Sequence, residues 1–169
     1  MTLRSLISII ALLALTGLTA CGFRPLYAED KGGDSTAADM AKVKISMMED
    51  RIGQLTRSVL VETLTPRGQT SRPEYSLDIG LSEAVSELGY TKDNEATIAD
   101  YILSANYRLS RISDSKVLRT GTLRARTTYN LVESDFASLE AESAARSDAA
   151  RNLARQLANQ VAVGLRSGR

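Results

Sequence analysis

The sequence of 169 residues contains no histidine, no tryptophan and only one cysteine. Without histidine the chain can form neither a Ser-His-Asp or Cys-His catalytic system nor a His-ligated zinc site. It also lacks a glycine-rich phosphate loop, because Lys31-Gly32-Gly33-Asp34 follows no predicted strand and opens no helix. A pair of carboxylates could still act as acid and base, but no pair stands out among the 20 acidic residues. We therefore expect a protein that is not an enzyme and that binds no metal and no non-covalent cofactor.

A net charge is nearly absent as well. The chain has 21 Lys and Arg against 20 Asp and Glu, a balance of +1. Removing residues 1–20 would take away Arg4 and no acid, which leaves 20 against 20. Nucleic-acid-binding domains normally carry an excess of Lys and Arg. We therefore expect no nucleic-acid partner.

The N-terminus has the layout of a bacterial lipoprotein signal peptide. Arg4 provides a positive charge, an apolar run covers residues 5–18, and small residues follow it. The run is too short to cross a bilayer, which needs about 20 apolar residues. The sequence Leu18-Thr19-Ala20-Cys21 resembles the lipobox, in which the cysteine is diacylated and becomes the new N-terminus. The alternative is an incidental cysteine in an uncleaved signal segment.

Lipid on Cys21 would anchor the mature chain to a membrane surface, since each buried CH₂ of an acyl chain contributes about 0.8 kcal/mol. The residue after Cys21 is Gly22 and not aspartate, which is a retention signal at this position. In this respect the chain resembles lipoproteins that are sorted to the outer membrane. We expect a signal peptide over residues 1–20, a lipidated flexible tether over 21–39 and a folded domain over 40–169. The tether assignment depends on the small, polar and non-periodic composition of Ala28 to Asp39.

The first half of the domain predicts a strand and then a helix. Val43, Ile45 and Met47 alternate with polar residues, as in a half-buried strand. Asp50 is a possible N-cap, and Pro66 with Gly68 should end the helix. The predicted apolar stripe of this helix consists of Ile52, Leu55, Val59, Leu60 and Leu64.

Three strands should follow. The first begins at Tyr75, and its apolar alternation changes phase near Ala84–Glu87, which suggests a bulge or a bend. A loop is expected around residues 92–95. The buried face of the next two strands should contain Tyr101, Leu103, Ala105, Tyr107, Leu109, Val117, Leu123, Ala125, Tyr129 and Leu131.

The two polar faces restrict how these last two strands pair. An odd register would place polar side chains opposite apolar ones on one face. We predict the three-residue loop Asp114-Ser115-Lys116, which pairs Asn106 with Arg124, or an even-numbered slip of that register.

A long helix should close the chain. Ser134 or Asp135 can cap it, and Arg166 and Gly168 should end it. Its predicted buried stripe consists of Leu153, Leu157, Val161, Leu165 and the alanines Ala150, Ala154, Ala158 and Ala162. The fold class is therefore α+β, a two-layer sandwich with a four-stranded, mainly antiparallel sheet and two helices on one face, in the order β-α-β-β-β-α.

The segment Cys21-Gly22-Phe23-Arg24-Pro25-Leu26-Tyr27, directly after the lipobox, resembles the LPS-assembly lipoprotein LptE family. The stretch from Tyr129 to Ala137 and the element order also resemble that family. The resemblance implies an outer-membrane lipoprotein with a periplasm-facing lipid anchor that plugs the LPS-assembly barrel LptD. It would help the barrel to fold and would contact lipopolysaccharide. A very wide barrel has an open lumen unless something fills it.

Two other functions remain open. The chain could be a free-standing outer-membrane lipoprotein that binds lipid or scaffolds other envelope proteins. It could also be a carboxylate-dependent cell-wall hydrolase.

A basic strand face is the candidate site for lipopolysaccharide. Between Ser104 and Asn130 lie six basic residues and one acid. The candidate contacts are Asn106, Arg108, Thr122, Arg124 and Arg126, which share the polar parity of their strands. The alternatives are a solvated strand face, or arginines paired with acids of the barrel.

Overall fold

A computed structural model of the chain describes residues 36–66, 68, 70–90, 96–132 and 134–168. Its helices are α1 (Thr36–Met40), α2 (Arg51–Leu64) and α3 (Asp135–Ser167). Its strands are β1 (Val43–Ile45), β2 (Tyr75–Tyr90), β3 (Ala96–Arg111) and β4 (Val117–Asn130). The predicted signal peptide, Cys21, nearly all of the tether and the loop at 92–95 lie outside the described residues.

The α+β prediction is confirmed. The four strands form one sheet in the order β1-β2-β3-β4, in which β1 is parallel to β2 and the other pairs are antiparallel. Helix α3 packs on β3 and β4, and α2 packs against α3 and β1. The additional helix α1 precedes β1 and contacts α3.

The core lies between the sheet and the helices. On β3 the whole predicted face is buried, as are all eight predicted positions of α3. Such burial arises because strand side chains alternate between faces, while i and i+4 positions share one side of a helix. In α2, Ile52, Leu60 and Leu64 are buried, and Leu55 and Val59 pack partly against the core.

The predicted ends of both long helices are confirmed. Asp50 is at the N-cap of α2, although its side chain makes no capping hydrogen bond. Thr65 ends the helix by donating its backbone N–H and its hydroxyl to the carbonyl of Val61, each at 2.8 Å. Ser134 and Gly168 flank α3.

Two N-terminal predictions were wrong in detail. The last residues of the predicted tether belong to α1, where Thr36, Asp39 and Met40 are buried. Five residues are too few to show a helical period, so only packing reveals this helix. The first strand ends at Ile45 because its pairing with β2 stops there, and Met47 is 80% exposed.

Of the bulge or bend predicted near Ala84–Glu87, the bulge is absent from the structure. Pairing of β2 with β3 is regular from Tyr75 opposite Arg111 to Tyr90 opposite Ala96. Side chains of β2 are exposed from residue 82 to residue 89 on both faces. Burial therefore does not constrain the apolar pattern there, and backbone pairing alone fixes the strand.

A register shift occurs instead between β3 and β4. Leu109 pairs with Arg119 and Ser110 pairs with Val117, so Leu118 is an extra residue in β4. A bulge of this kind changes the face of the sheet on which the following side chains lie, here those between the bulge and the hairpin. Val117, predicted to be buried, is consequently 47% exposed.

The observed register is an even-numbered slip of the predicted one. Arg124 pairs with Ser104 and Thr122 pairs with Asn106, so the parity argument is confirmed and the specific pair Asn106–Arg124 is wrong. The connection has four residues rather than three, because the N–H of Arg111 donates to the carbonyl of Lys116 at 2.8 Å.

Candidate functional site

The face of the sheet turned away from the helices carries all five predicted contact residues. We call it the open face. It consists of the even-numbered side chains of β2, of β3 and of β4 from Thr120 onward, because strand residues alternate between faces. The exposed members include Asn106, Arg108, Thr122, Arg124 and Arg126. The parity read from the sequence therefore placed these side chains on the correct side.

Strand pairing orders the open face into cross-strand rows. The rows from β2 across β3 to β4 are Asp78–Arg108–Thr120, Gly80–Asn106–Thr122, Ser82–Ser104–Arg124 and Ala84–Ile102–Arg126. The Thr122 hydroxyl donates to Asn106 Oδ1 at 2.6 Å. Gly80 has no side chain, and an added Cβ there would meet no atom within 4 Å. A wide, shallow depression of about 650 Å³ covers this part of the face.

The depression offers hydroxyl, amide and guanidinium groups. Its lining includes Ser46, Asp78, Asn106, Arg108, Thr120 and Thr122. Groups of these types hydrogen-bond to sugar hydroxyls, and guanidinium also binds phosphate.

The three arginines of the open face differ in their surroundings. Arg126 Nη1 lies 3.5 Å from Asp100 Oδ2, and the Asp100 side chain is only 6% exposed. The Thr128 hydroxyl also donates to Asp100, at 2.6 Å. For Arg108 and Arg124 the described residues provide no hydrogen-bond or ion-pair partner. Within the described part of the chain, Arg126 is thus paired with an acid, whereas Arg108 and Arg124 are not.

The other basic residues of this region have different roles. Arg119 Nε donates to Gln160 Oε1 at 2.8 Å, and Arg111 Nη2 donates to the Gly168 carbonyl at 2.8 Å. Both contacts join the sheet to α3. The hairpin acid Asp114 accepts the N–H of Lys116 at 3.1 Å, and this bond lowers the pKa of Asp114, with Arg111 adding to the effect.

A second polar cluster lies on the helix side of the sheet and was not predicted. The buried Tyr101 donates its hydroxyl to Glu83 Oε2. Arg146 lies 2.8 Å from Glu142 and 4.0 Å from Glu83, with its guanidinium carbon 5.6 Å from the centre of the Tyr101 ring. Burial raises the pKa of Tyr101, and the hydrogen bond to Glu83 adds to it, so the hydroxyl remains a donor at neutral pH.

Only one part of this cluster had a signal in the sequence. Glu83 shares the parity of the inward-facing residues of β2, so its side was predictable. Arg146 lies 63 residues further along the chain (146 − 83), and no pattern links the two. Within the described ranges, no group of three metal-ligating residues occurs, and no helix is long and apolar enough to cross a membrane.

Comparison with known proteins identifies relatives of the fold. No protein-family model matches the chain, and no curated protein matches it. A candidate lipoprotein from Caulobacter crescentus superposes with a TM-score of 0.61 at 19% identity, over 76% of this chain and 93% of that one. A minor lipoprotein from Acinetobacter baumannii gives 0.56 at 19% identity, over 72% and 88%.

The rare lipoprotein B from Shewanella oneidensis gives a TM-score of 0.53 at 11% identity, over 75% of this chain and 92% of that one. In all three cases nearly the whole neighbour is covered, so the likeness extends beyond a shared motif. At these identities it concerns the architecture. The chain has the α+β fold of these three proteins.

Proposed function

We propose that this chain is an outer-membrane lipoprotein, anchored by lipid on Cys21, that complexes with and plugs the LPS-assembly barrel LptD. In that complex it would assist barrel folding and the insertion of lipopolysaccharide into the outer leaflet. The lipobox-like sequence and the fold shared with bacterial lipoproteins support the anchor. The CGFRPLY segment supports the partner, through its resemblance to the LptE family.

The observation that supports the lipopolysaccharide role is the pair of arginines on the open face for which the described residues provide no partner. Arg108 and Arg124 lie among Asn106, Ser104 and Thr122, and α3 packs on the opposite side of the sheet. A guanidinium group binds phosphate through two parallel hydrogen bonds, which the point charge of lysine cannot reproduce. Hydroxyl and amide groups beside it would bind the sugars of the same molecule.

Purification of the lipidated chain from membranes in mild detergent tests the partner. We expect a heat-modifiable outer-membrane barrel to co-purify. Photo-crosslinking from positions across the open face and the loops should then give adducts with that barrel. Purification without a barrel, with lipid bound, would favour the free-standing lipoprotein instead.

The double variant Arg108→Gln with Arg124→Gln should bind lipopolysaccharide at least about tenfold more weakly, since charge-assisted hydrogen bonds contribute roughly 1.5–3 kcal/mol each. Its affinity should also depend less on salt, because screening acts on charged contacts. Titration with purified lipopolysaccharide at two salt concentrations measures both effects.

The matched control is Arg151→Gln with Arg155→Gln. It also removes two positive charges, but from α3, where these two arginines donate hydrogen bonds to Asp148 and Asn152. Equal losses in both double variants would mean that only net charge matters. No loss in the first variant would place the contact elsewhere on the protein.

Cys21→Ser should abolish incorporation of labelled fatty acid and release the chain from the membrane, because the serine hydroxyl cannot form the thioether. Metabolic labelling followed by membrane fractionation measures both. Thr19→Ser, a mild change within the same motif, is the control and should remain labelled. Fatty acid still found on the Cys21→Ser variant would refute the anchor.

A further inference from the structure

Strand β2 has a long free edge. β1 pairs with only Tyr75, Ser76 and Leu77, and the N–H of Ser46 then donates to the carbonyl of Leu77 at 3.0 Å. Beyond that point the other 13 of the 16 residues of β2 (16 − 3) have no strand on this side among the described residues. Free edges expose backbone N–H and C=O groups that can pair with another chain.

A groove of about 580 Å³ lies on the helix side of this edge. Its walls are Glu83 of β2, the first turns of α2 from Arg51 to Leu55, and the face of α3 from Leu139 to Ser147. Leu139 is 64% exposed, so the groove contains apolar surface that the described part of the fold leaves uncovered.

The polar cluster described above connects two walls of the groove, β2 and α3. Tyr101 donates to Glu83, and Arg146 bridges Glu83 and Glu142 across the boundary between β2 and α3. The acids Asp50, Glu83 and Glu142 outnumber the bases Arg51 and Arg146 in the lining. The free stretch of β2 itself carries Asp78, Glu83 and Glu87 and no basic residue.

We propose that the free edge of β2 and this groove form a binding site for an extended, basic peptide segment of a partner protein. The segment would add to the sheet as a strand beside β2 through main-chain hydrogen bonds. Its alternate side chains would point to the helix side, and a lysine or arginine there would enter the groove near Glu83 and Glu142. In strand-addition sites the main chain provides affinity and pockets for alternate side chains provide specificity.

The other free edge of the sheet has the opposite character. β4 carries Arg119, Arg124 and Arg126 and no acid, and it contains the bulge at Leu118. Bulges and charged side chains are devices that discourage strand addition. A basic segment should therefore pair with the edge of β2 and not with that of β4. This inference does not depend on lipopolysaccharide binding, which involves the open face and β4.

The test uses the full-length lipidated chain in detergent micelles and a blocked probe peptide, Thr-Val-Thr-Lys-Val-Thr-Val. Two matched peptides have glutamate in place of the lysine, or N-methyl groups on alternate amides. Fluorescence anisotropy measures affinity, and amide hydrogen exchange locates the bound peptide. We expect the lysine peptide to bind at least about tenfold more tightly than either matched peptide, because one loses the charge match and the other the main-chain bonds.

Two protein variants complete the test. Val85→Lys places a positive charge on the groove side of β2 at a half-exposed position, so it should weaken binding of the lysine peptide with the fold unchanged. Asn130→Lys, an exposed position on β4, is the control and should bind normally. Increased protection confined to residues 78–90 would support the proposal. Equal binding of the N-methylated peptide, or protection over residues 117–130 instead, would overturn it.

Discussion

Replacing Leu157 by aspartate should lower the free energy of unfolding by several kcal/mol. Leu157 is fully buried in the layer between α3 and the sheet, in one apolar cluster with Leu103 and Tyr107. The substitution removes a core side chain, which alone costs about 2–5 kcal/mol, and buries a carboxylate without a partner. For a domain of this size such a loss is a large share of the total stability, which is typically about 5–15 kcal/mol.

Denaturant unfolding followed by circular dichroism measures this loss. Ser143→Asp is the control, because it adds a carboxylate to an exposed position of the same helix. We expect the control to change the free energy of unfolding by less than about 0.5 kcal/mol, as surface substitutions usually do. If both variants unfold at the same denaturant concentration, α3 does not lie on the sheet in the orientation described.

The second large effect is expected from Gly164→Val, which should destabilise the fold by about 1–3 kcal/mol through overpacking. A Cβ at Gly164 would lie 2.9 Å from Leu109 Cδ2 and 3.1 Å from Arg119 Cβ, and the first of these distances is too short for two carbon atoms. Helix α3 therefore lies close to β3 and β4 at a residue without a side chain. Valine adds three carbons where even one does not fit without movement.

Two comparisons separate this contact from general effects of removing glycine. Gly164→Ala gains up to about 1 kcal/mol in helix propensity, which offsets part of the clash, so it should be clearly more stable than Gly164→Val. Gly80→Val places the same side chain on the open face, where an added Cβ meets no atom within 4 Å. We expect no loss of stability there. A Gly164→Val variant as stable as the unchanged chain would show that helix and sheet are further apart than described.

The regular parts of the fold could be predicted because their patterns record burial directly. In β3 every second residue from Tyr101 to Leu109 is buried, and in α3 the series Leu153, Leu157, Val161 and Leu165 recurs every four residues on the buried side. When one face of an element is buried, apolar residues recur in the sequence with a period of 2 in a strand and of 3.6 in a helix. The same parity predicts that Arg108 and Arg124 lie on the open face, where the structure has them.

The errors occurred where burial does not constrain the chain. At the far end of β2 both faces are exposed, so the apolar residues Val85 and Leu88 suggested a bulge that the backbone pairing does not have. The true bulge, at Leu118, lies where β3 and β4 leave their hairpin, and the loop geometry decides it. Because Val117 and Leu118 are both apolar, the pattern of polar and apolar positions does not show which of the two faces the helices.

By itself, then, the sequence determined the order of the elements from β1 to α3, the buried faces of β3 and of the long helix, and the side of the sheet on which the arginines lie. Only the tertiary structure decided which arginine is paired within the fold, because Arg126 lies beside Asp100, a residue 26 positions earlier on the adjacent strand. It also decided that, among the described residues, most of β2 has no neighbouring strand on one side, where a groove lies. Both features depend on which segments become neighbours in space, and hydrophobic periodicity, a local property of each segment, contains no information about such pairings.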